Sequence, residues 1–105
     1  MLEGPFKTAL GKEIKHLFPG CIILKNDANY LQGVPDMLIL WRSQWATLET
    51  KAAPKSKRQP NQEYYVELMN EMSFSAFICP DNKEEVLDAL QSAFGVRRKT
   101  RVLKR

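Results

Sequence analysis

Apolar residues recur along this chain first at helical, then at strand spacing, then alternate between the two. Phe6, Leu10, Ile14 and Leu17 fall at three- and four-residue steps, which predicts an amphipathic helix from Pro5 to about Phe18. Pro5 suits a first helical turn and Pro19-Gly20 ends it, while Gly11 weakens the middle. The run Cys21 to Leu24 is too short for a helix and reads as a strand, followed by a polar loop over 26–33. Met37 to Trp41 is apolar on both faces, the pattern of a central strand, and Trp45 to Lys51 returns after a turn at Arg42-Ser43-Gln44. A basic loop spans 52–60. A second helix follows from about Asn61 to Met72, with Tyr65, Leu68, Met69 and Met72 on one side. Phe74 to Cys79 reads as a last strand. The segment Asp81 to Glu84 has capping-box spacing before a helix with Val86, Leu87, Leu90 and Phe94 on its apolar face, stopped at Gly95. The expected fold is α/β, in the order α-β-β-β-α-β-α, with helices layered on a small mixed sheet.

The hairpin carries the chemistry. With its turn centred between Arg42 and Ser43, facing residues have numbers summing to 85, and Asp36 plus Glu49 meet that sum. Their Cβ atoms are then about 4.5–5.5 Å apart on one face. Lys51, two residues past Glu49, shares that face by strand alternation. Two carboxylates this close repel unless a cation sits between them. Oxygen donors with an adjacent amine fit magnesium, with manganese as a substitute, which keeps water and phosphate among its ligands. The carbonyl of Thr50 is a further candidate ligand, and Lys51 a candidate to orient water or stabilise developing charge. The plain alternative is a surface hairpin with a cross-strand ion pair, worth little. Burial of the flanking strands argues for a purpose, because charge beside apolar surface is costly.

Gly33-Val34-Pro35-Asp36, then twelve residues, then Glu49-Thr50-Lys51, with Gln62 and Tyr65 on the following helix, resembles the VRR-NUC branch of the PD-(D/E)XK nucleases. The resemblance covers roughly residues 3–94. It implies a restriction-endonuclease-like core in which Asp36 and Glu49 are metal ligands, Lys51 is the catalytic lysine and Gln62 places water or the metal. It also implies an acid at the start of the first helix. Glu3 fits, lying ahead of Phe6, Leu10, Ile14 and Leu17 in phase with them, and Glu13 is the fallback. Stand-alone members of this branch resemble homodimeric nucleases of branched DNA such as Holliday junctions. The expected function is therefore a metal-dependent, structure-selective DNA endonuclease. A flap-directed or sequence-specific nuclease, a non-catalytic nucleic-acid-binding protein and a structural interaction module stay open beside it.

Charge adds a partner. The chain has 105 residues and a net charge of +4, yet Arg97, Arg98, Lys99, Arg101, Lys104 and Arg105 crowd its last ten residues. Removing those six from the sixteen Lys and Arg leaves ten against twelve acids, so residues 1–95 sum to −2. This divides the chain into a nuclease-like domain over 1–95 and a basic tail over 96–105, the tail suited to a polyanion. Lys55, Lys57 and Arg58 follow Glu49-Thr50-Lys51 directly and are candidates to flank DNA, though a solvated loop explains them as simply. Pro80-Asp81 repeats the dipeptide without a following strand and reads as a helix cap. Tyr30 and Asn29 lie in the loop before Asp36, where they have access to a substrate, and Trp41 and Trp45 read as packing residues. Two cysteines are too few for a disulfide framework, one histidine without a Cys-x-x-Cys pair comes close to excluding structural zinc, and nothing resembles a signal peptide or membrane span. A cytoplasmic location is the default expectation.

Overall fold

In the computed structural model, residues 3–96 are described. The order of elements is α1 (Glu3–Leu17), β1 (Ile22–Lys25), β2 (Met37–Trp41), β3 (Gln44–Thr50), α2 (Gln62–Met72), β4 (Phe74–Ile78) and α3 (Lys83–Ala93). Strands pair in the order β1-β2-β3-β4, antiparallel across the first two interfaces and parallel between β3 and β4. The parallel pair follows from α2, whose crossover returns the chain to the same end of the sheet. The fold is thus α/β, with three helices and a four-stranded mixed sheet among the described residues.

The hairpin takes the register its sequence predicts. Pairs run from Met37↔Leu48 to Trp41↔Gln44, each summing to 85, around the two-residue turn Arg42-Ser43. Gln44 therefore opens β3 rather than closing the turn. Arg42 supplies the positive φ, 57°, at the turn's first position. Its guanidinium lies 4.0 Å over the Trp41 ring, which offsets that backbone cost.

One face of the sheet carries the core. Phe6, Leu10, Ile14 and Phe18 of α1 and its end meet Met37, Ile39 and Trp41 of β2, Ala46 and Leu48 of β3, and Val86, Leu87 and Leu90 of α3. The other face receives α2 over β3 and β4, where the Thr47 hydroxyl meets Ser75 Oγ at 2.7 Å and Met69 Sδ at 3.5 Å. On α2 the buried position is Val66, and Met72 is exposed, so the apolar side expected for this helix is only half covered. A helix resting on two strands of one face needs only a narrow buried stripe.

The helix ends behave unequally. At the end of α3, Gly95 (φ 76°) donates to Ser92 O, and Val96 N–H donates to Gln91 O at 2.8 Å, a Schellman closure that matches the predicted stop. The expected capping box at its start does not form. The N-cap is Asn82, which makes no side-chain cap bond. Its amide instead accepts from Cys79 N–H at 2.8 Å and donates to Phe77 O at 3.2 Å, because the end of β4 leaves those groups to be satisfied. Cys21 and Cys79 are both free thiols. Among the described residues no helix is long and apolar enough to cross a membrane.

Candidate metal and phosphate site

The loop before β2 is folded back on itself so that Asp36 enters the hairpin at a fixed point. Asn26 N–H donates to Asp36 O at 2.9 Å and its side-chain amide to Pro35 O at 2.8 Å. Gly33 is the joint. It has φ 90°, and a Cβ there would lie 2.6 Å from Asn61 Cβ and 2.7 Å from Pro60 O. Only glycine has both the backbone freedom and the missing atom for that approach. The contact clamps the loop carrying Pro35-Asp36 against the residues that begin α2, and so brings Gln62 to the same place.

At the open end of the hairpin Asp36 and Glu49 converge, with Asp36 N–H donating to Glu49 Oε1 at 3.2 Å. Gln62 Nε2 donates to Glu49 Oε2 at 3.0 Å, and Gln62 Oε1 accepts from Lys51 Nζ at 2.8 Å and from Gln59 N–H at 2.8 Å. Lys51 Nζ also donates to Lys57 O at 3.0 Å and stands 4.0 Å from Glu49 Oε2. One glutamine therefore holds both the acid and the amine. Glu49 is only 5% exposed. Burial pushes its carboxyl up to about 7, the charge of Asp36 adds to the rise, and Lys51 opposes it.

Asp36 is held differently. The hydroxyl of fully buried Thr50 donates to its Oδ2 at 2.8 Å, and Lys7 of α1 makes an ion pair with the same oxygen at 3.0 Å. Its Oδ1 is shut away from solvent and no donor among the described residues reaches it. A buried acceptor left unpaired costs about 1–3 kcal/mol. Such an oxygen suits a hard cation, the Glu49 carboxyl is near enough to feel the charge of Asp36, and one or two carboxylates are enough for magnesium, which keeps several waters. The residues present therefore fit a divalent metal.

Not every candidate joins the cluster. Among the described residues no group of three or more acidic, histidine or cysteine side chains is gathered as for a metal. Glu3 is exposed on the first turn of α1 and reaches the site only through its charge, which raises Glu49 slightly. Glu13 is engaged elsewhere, 2.8 Å from Lys83 of α3. For Thr50 the visible contribution is its hydroxyl on Asp36. Lys57 contributes its carbonyl, Lys55 is exposed, and Arg58 lies 3.8 Å over the Phe77 ring and 3.5 Å from Glu63. Arg97, Arg98, Lys99 and Arg101 lie outside the described residues. Tyr30 is open to solvent, and Trp41 is core.

Sequence reading missed Lys7. The signal was present: Lys7 is one helical turn after Glu3, so a helix bringing its start to the acids brings both.

Comparisons with protein-family models, curated proteins and solved structures each find no match. The site itself is therefore the ground for any functional reading.

Proposed function

We propose that this chain is a divalent-metal-dependent DNA endonuclease with a restriction-endonuclease-like core, magnesium being the natural metal. The observation that carries this reading is the meeting of Asp36 and Glu49 at the open hairpin end, with Lys51 tied to Glu49 through Gln62 and a buried Asp36 oxygen that no donor among the described residues reaches. Asp36 Oδ1 and Glu49 would hold the metal. A divalent cation there supplies charge neutralisation at a phosphate oxygen and makes water more acidic.

The protein's own groups then have separate tasks. Gln62 and the Asp36 N–H fix the Glu49 carboxylate so that its orientation costs nothing at the moment of reaction. The Thr50 hydroxyl aims Asp36. Lys51, held by Gln62 Oε1 and Lys57 O, presents a fixed positive charge for a phosphate oxygen that gains charge in the transition state. Glu3 is an outlying acid that adds negative potential.

Branched DNA such as Holliday junctions is the proposed substrate, cut by a homodimer in which each copy supplies one site. Support for pairing comes from the half of the sheet that α2 leaves open. There Ile22 and Leu24 are exposed, and their cross-strand partners are Leu40 and Leu38. An apolar face of this kind on a small protein marks a contact surface.

The deciding assay is cleavage of a four-way junction in Mg²⁺ and in EDTA, with flap and plain duplex DNA alongside. Cutting that needs the metal and is lost in Asp36→Asn is expected, and mass in solution reports the dimer. The absence of a third gathered acid among the described residues favours one competing reading, a non-catalytic nucleic-acid-binding protein. That reading requires Glu49→Gln to leave every activity unchanged.

A further inference from the structure

Beside the acid pair, between α1 and the β1 side of the sheet, lies a cleft of about 320 Å³ lined by Lys7, Lys12, Lys15 and Lys25. Ile23 and Met37 also line it, and no acidic side chain does. We propose that this cleft binds the phosphodiester backbone of the DNA strand leading into the acid pair, so that the strand runs along α1. The identity of the polyanion rests on the nuclease reading; the existence of the anion-binding cleft does not.

Four observations support it. The first is charge against the local trend. Residues 1–95 sum to −2, yet four lysine side chains line one concavity. Lys12 and Lys15 are three apart on a helix, where like charges destabilise each other. No described carboxylate pairs with Lys12, Lys15 or Lys25. The nearby acid of α1, Glu13, is turned to Lys83 on the far side of the apolar stripe. An anion in the cleft would offset that repulsion.

The second is continuity. Lys7 lines the cleft and also sits 3.0 Å from Asp36 Oδ2, so the cationic wall runs directly into the acid pair. The third is span. From Lys7 to Lys15 the helix rises about 12 Å. A wall of that length is long enough to face more than one backbone phosphate of a strand.

The fourth is the missing side chain. Gly11 lines the cleft amid the lysines, and a Cβ added there would meet nothing within 4 Å. Glycine costs a helix roughly 0.5–1 kcal/mol against alanine, and neither a turn nor a close backbone approach demands it here. An open wall does use it, since any larger side chain would project into the path of the strand.

The test is DNA binding in EDTA across a series of NaCl concentrations, so that no cutting interferes. A fluorescent four-way junction is titrated with wild type, the triple variant Lys12→Ala/Lys15→Ala/Lys25→Ala, Gly11→Glu and the loop variant Lys55→Ala. Thermal melting checks that each is folded. For the triple variant the slope of log K against log salt is expected to fall by about 2–3, roughly 0.9 for each phosphate that is no longer neutralised. Its affinity should drop at least tenfold at moderate salt. Gly11→Glu should weaken binding while remaining folded, and Lys55→Ala should change the slope by about 1 at most. A triple variant with wild-type affinity and slope overturns the cleft, as does wild type that binds no DNA. Failure of the nuclease reading looks different: wild type binds through the lysines with its full salt slope and cuts nothing when Mg²⁺ is added.

Discussion

At its turn end the β2–β3 hairpin buries Trp41 against Phe18 and Phe94, with ring centroids 5.1 and 6.0 Å away; at its open end it buries Glu49 beside a half-buried Asp36. At the turn end the indole N–H reaches Pro19 O at 2.9 Å, and the Arg42 guanidinium covers the outer ring face. At the open end a carboxylate oxygen has no donor among the described residues and a lysine is lodged against an acid. One end gains stability from burial. The other spends it, keeping charge where apolar side chains would hold the fold better. That asymmetry is the physical reason to place function at the open end and stability at the turn.

The largest expected effect breaks the stable end. Trp41→Ala removes a side chain at the junction of α1, β2 and α3, and should cost about 3–5 kcal/mol. Urea denaturation measures it. A loss below about 1 kcal/mol would show that the turn end is not the anchor. Next comes Gly33→Ala, which acts on the open end through its backbone. The left-handed conformation costs a side-chain-bearing residue about 1–2 kcal/mol, and the clash with Pro60 and Asn61 adds to it. A total of about 2–4 kcal/mol is expected, with the proposed cleavage falling further than stability because Gln62 shifts with the loop.

Much of this comparison was legible in the chain itself. The period of apolar residues gives every element within two residues at its ends, and the two-residue turn fixes the parity of the register, whose last pair, Met37↔Leu48, adjoins Asp36 and Glu49. Interactions between elements distant in sequence were not legible. Lys7 reaches Asp36 only because α1 packs across β2, and the Thr50 hydroxyl reaches it only because the strand ends there. The capping motif at Asp81 misled because Asn82 serves the end of β4 instead. The lysine cleft was hidden by arithmetic: its charges are dispersed over Lys7 to Lys25, and the tail dominates any sum of charge by segment.

A smaller effect at the open end depends on pH. Glu49 has its carboxyl raised from 4.5 to about 7 by burial and by Asp36. The folded state therefore binds a proton that the unfolded state releases near the ordinary value. This contribution to stability is fully present below about pH 4.5, declines as pH rises, and is gone above about pH 7. The loss is on the order of 3 kcal/mol in metal-free protein. Glu49→Gln keeps the shape without the ionisation, so its stability should be nearly flat between about pH 5 and 8, where wild type declines. Mg²⁺ should restore wild type at the upper end of that range and leave the variant unchanged. Equal slopes for the two proteins would remove Glu49 as the strained group.

The smallest effect on stability isolates the lysine at the open end. Lys7 and Asp36 are each about a quarter exposed at the side chain, so their ion pair is a partly solvated one that contributes no more than about 1 kcal/mol. Lys7→Met keeps the aliphatic stem that lies along the cleft and deletes the charge. Its stability should stay within about 1 kcal/mol of wild type. Cation affinity should move further, because the ammonium occupies Asp36 Oδ2 and repels any positive ion brought to Oδ1. Titration calorimetry with Mg²⁺ or Ca²⁺, without DNA, is expected to show tighter binding in Lys7→Met by several-fold. Weaker binding would reverse the assignment: Lys7 would then hold Asp36 in its working orientation, and the open end would depend on that ion pair for order as the turn end depends on its aromatic rings.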